Sequence, residues 1–204
     1  MRIIAETISA ILSPVLIPLY AFLTLVYSTF LATLPPEFIA ILLGIIALFT
    51  AVIPGIAMIW LHFNGKMQDI DNPRSDERTA PYVITAIGYA ASIYILDRMA
   101  FPLWMTSLLV GGAIMIVCMA IINRWWRISA HMAGIGAYMG LVFMLGKLGF
   151  VIRIEWLVTI ITGAGMLGSC RIYLGRHTLG QVLAGGIFGF AWICLSLYIG
   201  VMMI

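Results

Sequence analysis

Apolar runs long enough to cross a hydrocarbon layer recur along this sequence from one end to the other. A helix needs about 20 apolar residues to span a bilayer, fewer where neighbouring helices cover it. Between polar breaks the sequence offers seven such runs, roughly 9–31, 37–62, 82–97, 103–123, 131–148, 154–173 and 178–203. Turn-forming residues separate them: Pro35-Pro36, Asn72-Pro73, Pro81, Pro102, Gly146 with Gly149, and Gly175. Pro14 and Pro18 fall inside the first run and are expected to kink it. Trp104, Trp125, Trp126 and Trp156 lie near run ends, where an indole sits well at headgroup level. The expected fold is all-α, a polytopic transmembrane bundle of six or seven spans forming a single domain over residues 1–204.

Composition points the same way. Hydrophobic residues make up 63% of the chain and charged residues 9%, against about 25% charged in a soluble domain. Water would not tolerate that much apolar surface, whereas lipid tails accept it at no cost, so the surrounding membrane lipids are partners. A net charge of +3 is too small to suggest nucleic acid as a partner. Cys118, Cys170 and Cys194 show no CxxC spacing and read as reduced packing residues. Met1-Arg2-Ile3-Ile4 leads into a run longer than the roughly 7–15 residues of a signal-peptide core, so it is expected to stay as a helix. Gly136-x3-Gly140 and Gly185-x3-Gly189 read as close-packing surfaces between helices.

The polar residues gather in three segments. Two runs precede the loop Lys66–Pro81, two separate it from Arg124–His131, and two more separate that from Arg171–Gln181. Even numbers of crossings put all three segments on one side of the membrane. Arg2, Lys66, Arg74, Arg78, Arg124, Arg127, Arg171 and Arg176 then share that side, and Arg98, Lys147 and Arg153 take the other. By the positive-inside rule eight cations against three favour a cytoplasmic face in a bacterial inner membrane, whereas without Lys66, Arg74, Arg78, Arg127 and Arg171, kept for phosphate, the two sides carry three each.

Each segment carries chemistry beside a plainer alternative. The first is a solvated loop of mixed charge, or it presents Arg74 and Arg78, with Lys66 behind them, to a phosphate whose oxygens suit the guanidinium fork. In the second, offsets of three and four place Arg124, Arg127 and His131 on one helical stripe if the helix has already begun there. The arginines there serve equally as interfacial anchors. In the third, His177 and Gln181 stand four apart, so a helix sets the amide beside the imidazole, with Gly175 allowing a turn just before.

Together the three segments resemble the type-2 phosphatidic acid phosphatases, relatives of the vanadium haloperoxidases. That family's signature runs Lys-x6-Arg-Pro, Pro-Ser-Gly-His and Ser-Arg-x5-His-x3-Asp. Here the third part reads Cys170-Arg171-x5-His177-x3-Gln181 and the second Ile128-Ser129-Ala130-His131. The first part is loose, with Arg78 followed by proline only at Pro81. The resemblance implies a membrane lipid phosphatase acting on a phosphate or pyrophosphate headgroup through a phosphohistidine. His177 would be the nucleophile and His131 the acid for the leaving oxygen. Arg171, Arg78 and Ser129, with Arg74, Lys66 and Arg127, would hold the phosphate oxygens. No metal or other cofactor is implied. The substrate would be a lipid phosphate, and homo-oligomers are compatible with the fold.

Gln181 departs from the aspartate of the family. Its amide oxygen can still accept the ring N–H and orient His177, but it adds no charge to support an imidazolium. Without that charge the step would be slowed and not abolished, and Asp69, Asp71, Asp76 and Glu77 in the facing loop are the carboxylates that could supply it instead. Two other readings remain: a non-catalytic lipid- or partner-binding member of the fold, and a metal-dependent prenyl or alcohol-phosphate transferase using the clustered Asp69, Asp71 and Asp76.

Overall fold

The computed structural model describes residues 1–71, 73–74 and 76–203. Asn72, half of the expected Asn72-Pro73 turn, and Ser75 lie outside the described residues. Among those described, regular structure is helical throughout: α1 (Arg2–Ile11), α2 (Ile17–Ser28), α3 (Pro36–Phe63), α4 (Thr79–Arg98), α5 (Leu103–Ile122), α6 (Ala130–Lys147), α7 (Ile154–Tyr173) and α8 (Leu179–Met202). A 3-10 turn, Phe30–Thr33, closes the gap between α2 and α3.

The helices from α2 onward fall on the apolar runs, whereas α1 lies mostly ahead of the first run and enters it only at Ser9–Ile11. The first run breaks at Leu12–Leu16, where Pro14 and Pro18 interrupt the backbone ladder and leave α1 and α2 as separate pieces. α3 stays continuous but widens to a π-helical turn at Leu48–Val52, directly before Pro54. Proline has no N–H for the carbonyl four residues back, and a π turn absorbs that gap.

Among the described residues four helices, α3, α4, α5 and α8, are long and apolar enough to cross a membrane. Their outward faces suit lipid: Ile56, Ile87, Tyr94 and Ile187 are each more than half exposed. α5 is the central member, with 56% of its apolar window buried against 22–28% for the other three.

The tightest packing joins α6 to α8. A Cβ on Gly136 would overlap the carbonyl of Gly186, and one on Gly189 would overlap the carbonyl of Ala133. The two small-residue spacings are therefore the contact surface itself, as the sequence suggests. Polar links cross between helices as well. Trp192 donates to the Gly111 carbonyl at 3.0 Å, Ser196 to the Ser107 carbonyl at 2.6 Å, and Thr24 shares a 2.7 Å bond with Tyr138. All three cysteines are free.

Candidate active site

The three polar segments meet at one end of this bundle, and each reaches it by a local device. α7 ends in a left-handed Gly175, φ 66°. The Gly175 N–H bonds the Ile172 carbonyl at 2.9 Å and the Arg176 N–H bonds the Arg171 carbonyl at 3.0 Å, the two bonds of a Schellman motif. That turn folds Arg176 and His177 back beside Arg171. The next helix then starts with a capping box, in which the Thr178 hydroxyl accepts the Gln181 N–H and the Gln181 amide oxygen accepts the Thr178 N–H at 3.0 Å.

The same Gln181 oxygen lies 3.3 Å from His177 Nδ1. An amide oxygen only accepts, so Nδ1 carries the proton and Nε2 keeps its lone pair. His177 is buried, and burial first, then the Arg171 and Arg78 charges, lowers its pKa from the model-peptide 6.5 to about 4. The Gln181 bond opposes that shift and Arg127 adds to it. At neutral pH the ring is uncharged and carries an unprotonated Nε2.

His131 stands in the first turn of α6, also buried, and because that helix begins at Ala130 the expected stripe with Arg124 and Arg127 does not form. Ser129 is the N-cap of that helix: its Oγ accepts the Met132 N–H at 3.3 Å, and its own N–H donates to the Gln181 carbonyl at 3.1 Å. The second and third segments are thus joined main chain to main chain. With its hydroxyl engaged as a cap, Ser129 sets the position of His131.

The loop from the first segment folds over both. The Glu77 carboxylate ties it together by accepting the Gln68 N–H at 3.2 Å and the Arg74 N–H at 2.9 Å. Asp69 Oδ1 accepts the Asp71 N–H at 2.9 Å, an Asx turn that aims Asp71 inward. Both Asp71 carboxylate oxygens accept from Arg171 Nη1, at 2.8 and 2.7 Å, and the Asp71 main-chain carbonyl accepts from Nη2 at 3.1 Å. Arg171 is wholly buried. Asp71 Oδ1 is also 3.5 Å from His131 Nε2. Arg176, which sequence reasoning left outside the site, bonds Asp69 and places its Nε 3.8 Å from Asp71 Oδ2. Arg78 is buried at the start of α4 and donates to the Pro73 carbonyl at 2.9 Å.

The other expected phosphate ligands stand apart. Lys66 is exposed with its ammonium 5.5 Å from the Trp60 ring centre, a cation–π contact. Arg74 is exposed and pairs with Asp76 at 3.5 Å. Arg127 is half-buried and reaches the cluster through its field on His177. Among the described residues the side-chain partner of His177 is Gln181, while Asp69 and Asp71 are engaged by Arg176 and Arg171. Among the described residues no three acidic, histidine or cysteine groups gather in a metal-holding arrangement.

Asp71, Arg78, His131, Arg171 and His177 line one end of a cavity of about 510 Å³. The rest of its wall is almost entirely apolar and includes Phe22, Leu109, Met115, Tyr138 and Ile193. Met119 and Leu108 of α5 both line it, which places roughly 16 Å of helix between those two wall positions at 1.5 Å per residue. Comparison with protein-family models, with curated proteins and with solved structures returns no match.

Proposed function

We propose that this protein is a membrane lipid phosphatase that removes a phosphate or pyrophosphate headgroup through a phosphohistidine intermediate. One observation carries the reading: two buried histidines and two buried arginines share the polar end of a cavity whose remaining wall is apolar. A headgroup phosphate suits the cationic end and a hydrocarbon tail suits the rest. The resemblance to type-2 phosphatidic acid phosphatases supplies the roles.

In that reading all seven apolar runs lie in the bilayer of a bacterial inner membrane, with the site at one membrane face. Arg171 and Arg78 bind the phosphate oxygens and offset charge as the transition state forms. The Nε2 lone pair of His177 attacks phosphorus while the ester P–O bond breaks. His131 protonates the departing oxygen, which leaves as the lipid alcohol or, from a pyrophosphate, as the lipid phosphate. It then takes a proton from water as that water attacks the phosphohistidine, releasing inorganic phosphate and restoring both rings. Gln181 orients His177 and fixes its tautomer.

The test is phosphate release by the purified protein across a panel of lipid phosphates and pyrophosphates. At least one substrate is expected to turn over, and His177→Ala is expected to abolish that turnover while the protein stays folded in detergent. Absence of release from every lipid overturns the reading. A His177→Ala variant retaining more than about a tenth of the rate removes His177 as the nucleophile; a one-tenth rate corresponds to only about 1.4 kcal/mol of barrier.

A further inference from the structure

The carboxylate of Asp71 sits where an anionic group would sit in a phosphate site. It takes both oxygens to Nη1 of the buried Arg171, faces His131 at 3.5 Å and lies 3.8 Å from Arg176. It also borders the cavity end that Arg78, His131, Arg171 and His177 form. We propose that Asp71 is a built-in anion filling the phosphate seat, which substrate must displace, and that it thereby selects doubly charged phosphate monoesters over singly charged phosphodiesters. This inference rests on the phosphatase reading.

The partners differ in freedom to move. The Arg171 side chain is 1% exposed and held at the end of α7, whereas the Asp71 side chain is 35% exposed on the loop between α3 and α4. The carboxylate is the partner able to leave. Its fit to the seat is also incomplete: Nε of Arg171 and Nε of Arg176 are buried donors with no hydrogen-bond acceptor among the described residues. A phosphate monoester brings three terminal oxygens, one more than a carboxylate, and a second negative charge. A diester offers only two such oxygens and one charge, no more than Asp71 already supplies, so it has nothing with which to outcompete the internal ion pair.

The experiment measures binding of methyl phosphate and dimethyl phosphate by calorimetry in detergent, for the unaltered protein, Asp71→Asn and Asp71→Ser. Both variants are expected to bind methyl phosphate about tenfold more tightly or better, as fits loss of one charge-assisted competitor. Both are also expected to gain measurable binding of dimethyl phosphate, which a merely structural aspartate would not confer. Equal or weaker methyl phosphate binding by the variants, with binding by the unaltered protein intact, overturns this inference and leaves the phosphatase reading standing. No methyl phosphate binding by any of the three overturns both. If the variants unfold when purified, methyl phosphate is expected to restore their thermal transition by replacing the lost anion. Failure of that rescue overturns the inference.

Discussion

Gln181 shows how much one side chain can be asked to do. Its amide oxygen caps α8 at the Thr178 N–H and holds the Nδ1–H of His177 at the same time. Adding a negative charge at that oxygen, with the chain length kept, stabilises the imidazolium and leaves the cap intact. Gln181→Glu is therefore expected to raise the His177 pKa from about 4 by about 1 unit or more. In the proposed mechanism Nε2 attacks only when unprotonated, so the acid limb of kcat/KM should lie near pH 4 in the unaltered protein and move upward in the variant. Above that limb the better-supported ring should turn over faster, by up to about tenfold. A pH–rate profile for both proteins checks the prediction, and an unmoved limb would show that Gln181 does not govern His177. The residue scale was only partly legible in the sequence. The spacing of His177 and Gln181 pointed to their pairing but not to its cause: His177 precedes α8, and the Thr178–Gln181 capping box, not a helical turn, brings the amide to the ring. Thr178-x-x-Gln181 ahead of an apolar run is a capping-box signature. Asp71 beside Arg171 was not legible, since nothing local links positions 100 residues apart.

The helices themselves were largely written in hydropathy and turn chemistry. The kink expected at Pro14 and Pro18 is a full break between α1 and α2, and α4 begins at Thr79, three residues before the apolar run, with Pro81 tolerated in its first turn. The glycine spacings of α6 and α8 were legible as packing, but only geometry shows what they hold. α6 carries His131 and α8 follows directly on His177, so this contact sets the distance between the two histidines. A Cβ at Gly189 meets the backbone of Ala133, which cannot rotate away. Gly189→Ala is expected to cost about 1–3 kcal/mol and to lower turnover along with thermal stability in detergent. Gly44 provides the contrast, since a Cβ there meets nothing within 4 Å. Gly44→Ala should be neutral or slightly stabilising, because alanine is the better helix former by about 1 kcal/mol. Equal losses at both positions would mean that glycine flexibility, and not the close α6–α8 approach, is what matters.

At the level of the whole molecule, the polar cluster and the apolar cavity form one continuous space inside the bundle. A site that only touched headgroups at the membrane surface would not tell one phosphate monoester from another by its tail. A site that also swallows the tail should use tail binding to place the phosphorus against His177, so the deep wall becomes part of specificity. Ala137 tests this. It lies on α6 well below His131, is buried, and lines the cavity. Ala137→Leu adds three carbons to that wall without touching the charged end. Each methylene of misfit in an apolar pocket is worth about 1–3 kcal/mol, so kcat/KM for a long-tailed lipid phosphate should fall tenfold or more. A short, water-soluble phosphate ester reaches only the charged end, and its kcat/KM should stay within about twofold of the unaltered protein, well under 1 kcal/mol. The comparison uses the ratio of the two substrates within each protein, so a partly destabilised variant still gives a clear answer. An unchanged ratio would place the tail outside the bundle, along the lipid-facing surface, and leave the cavity without a part in binding the substrate.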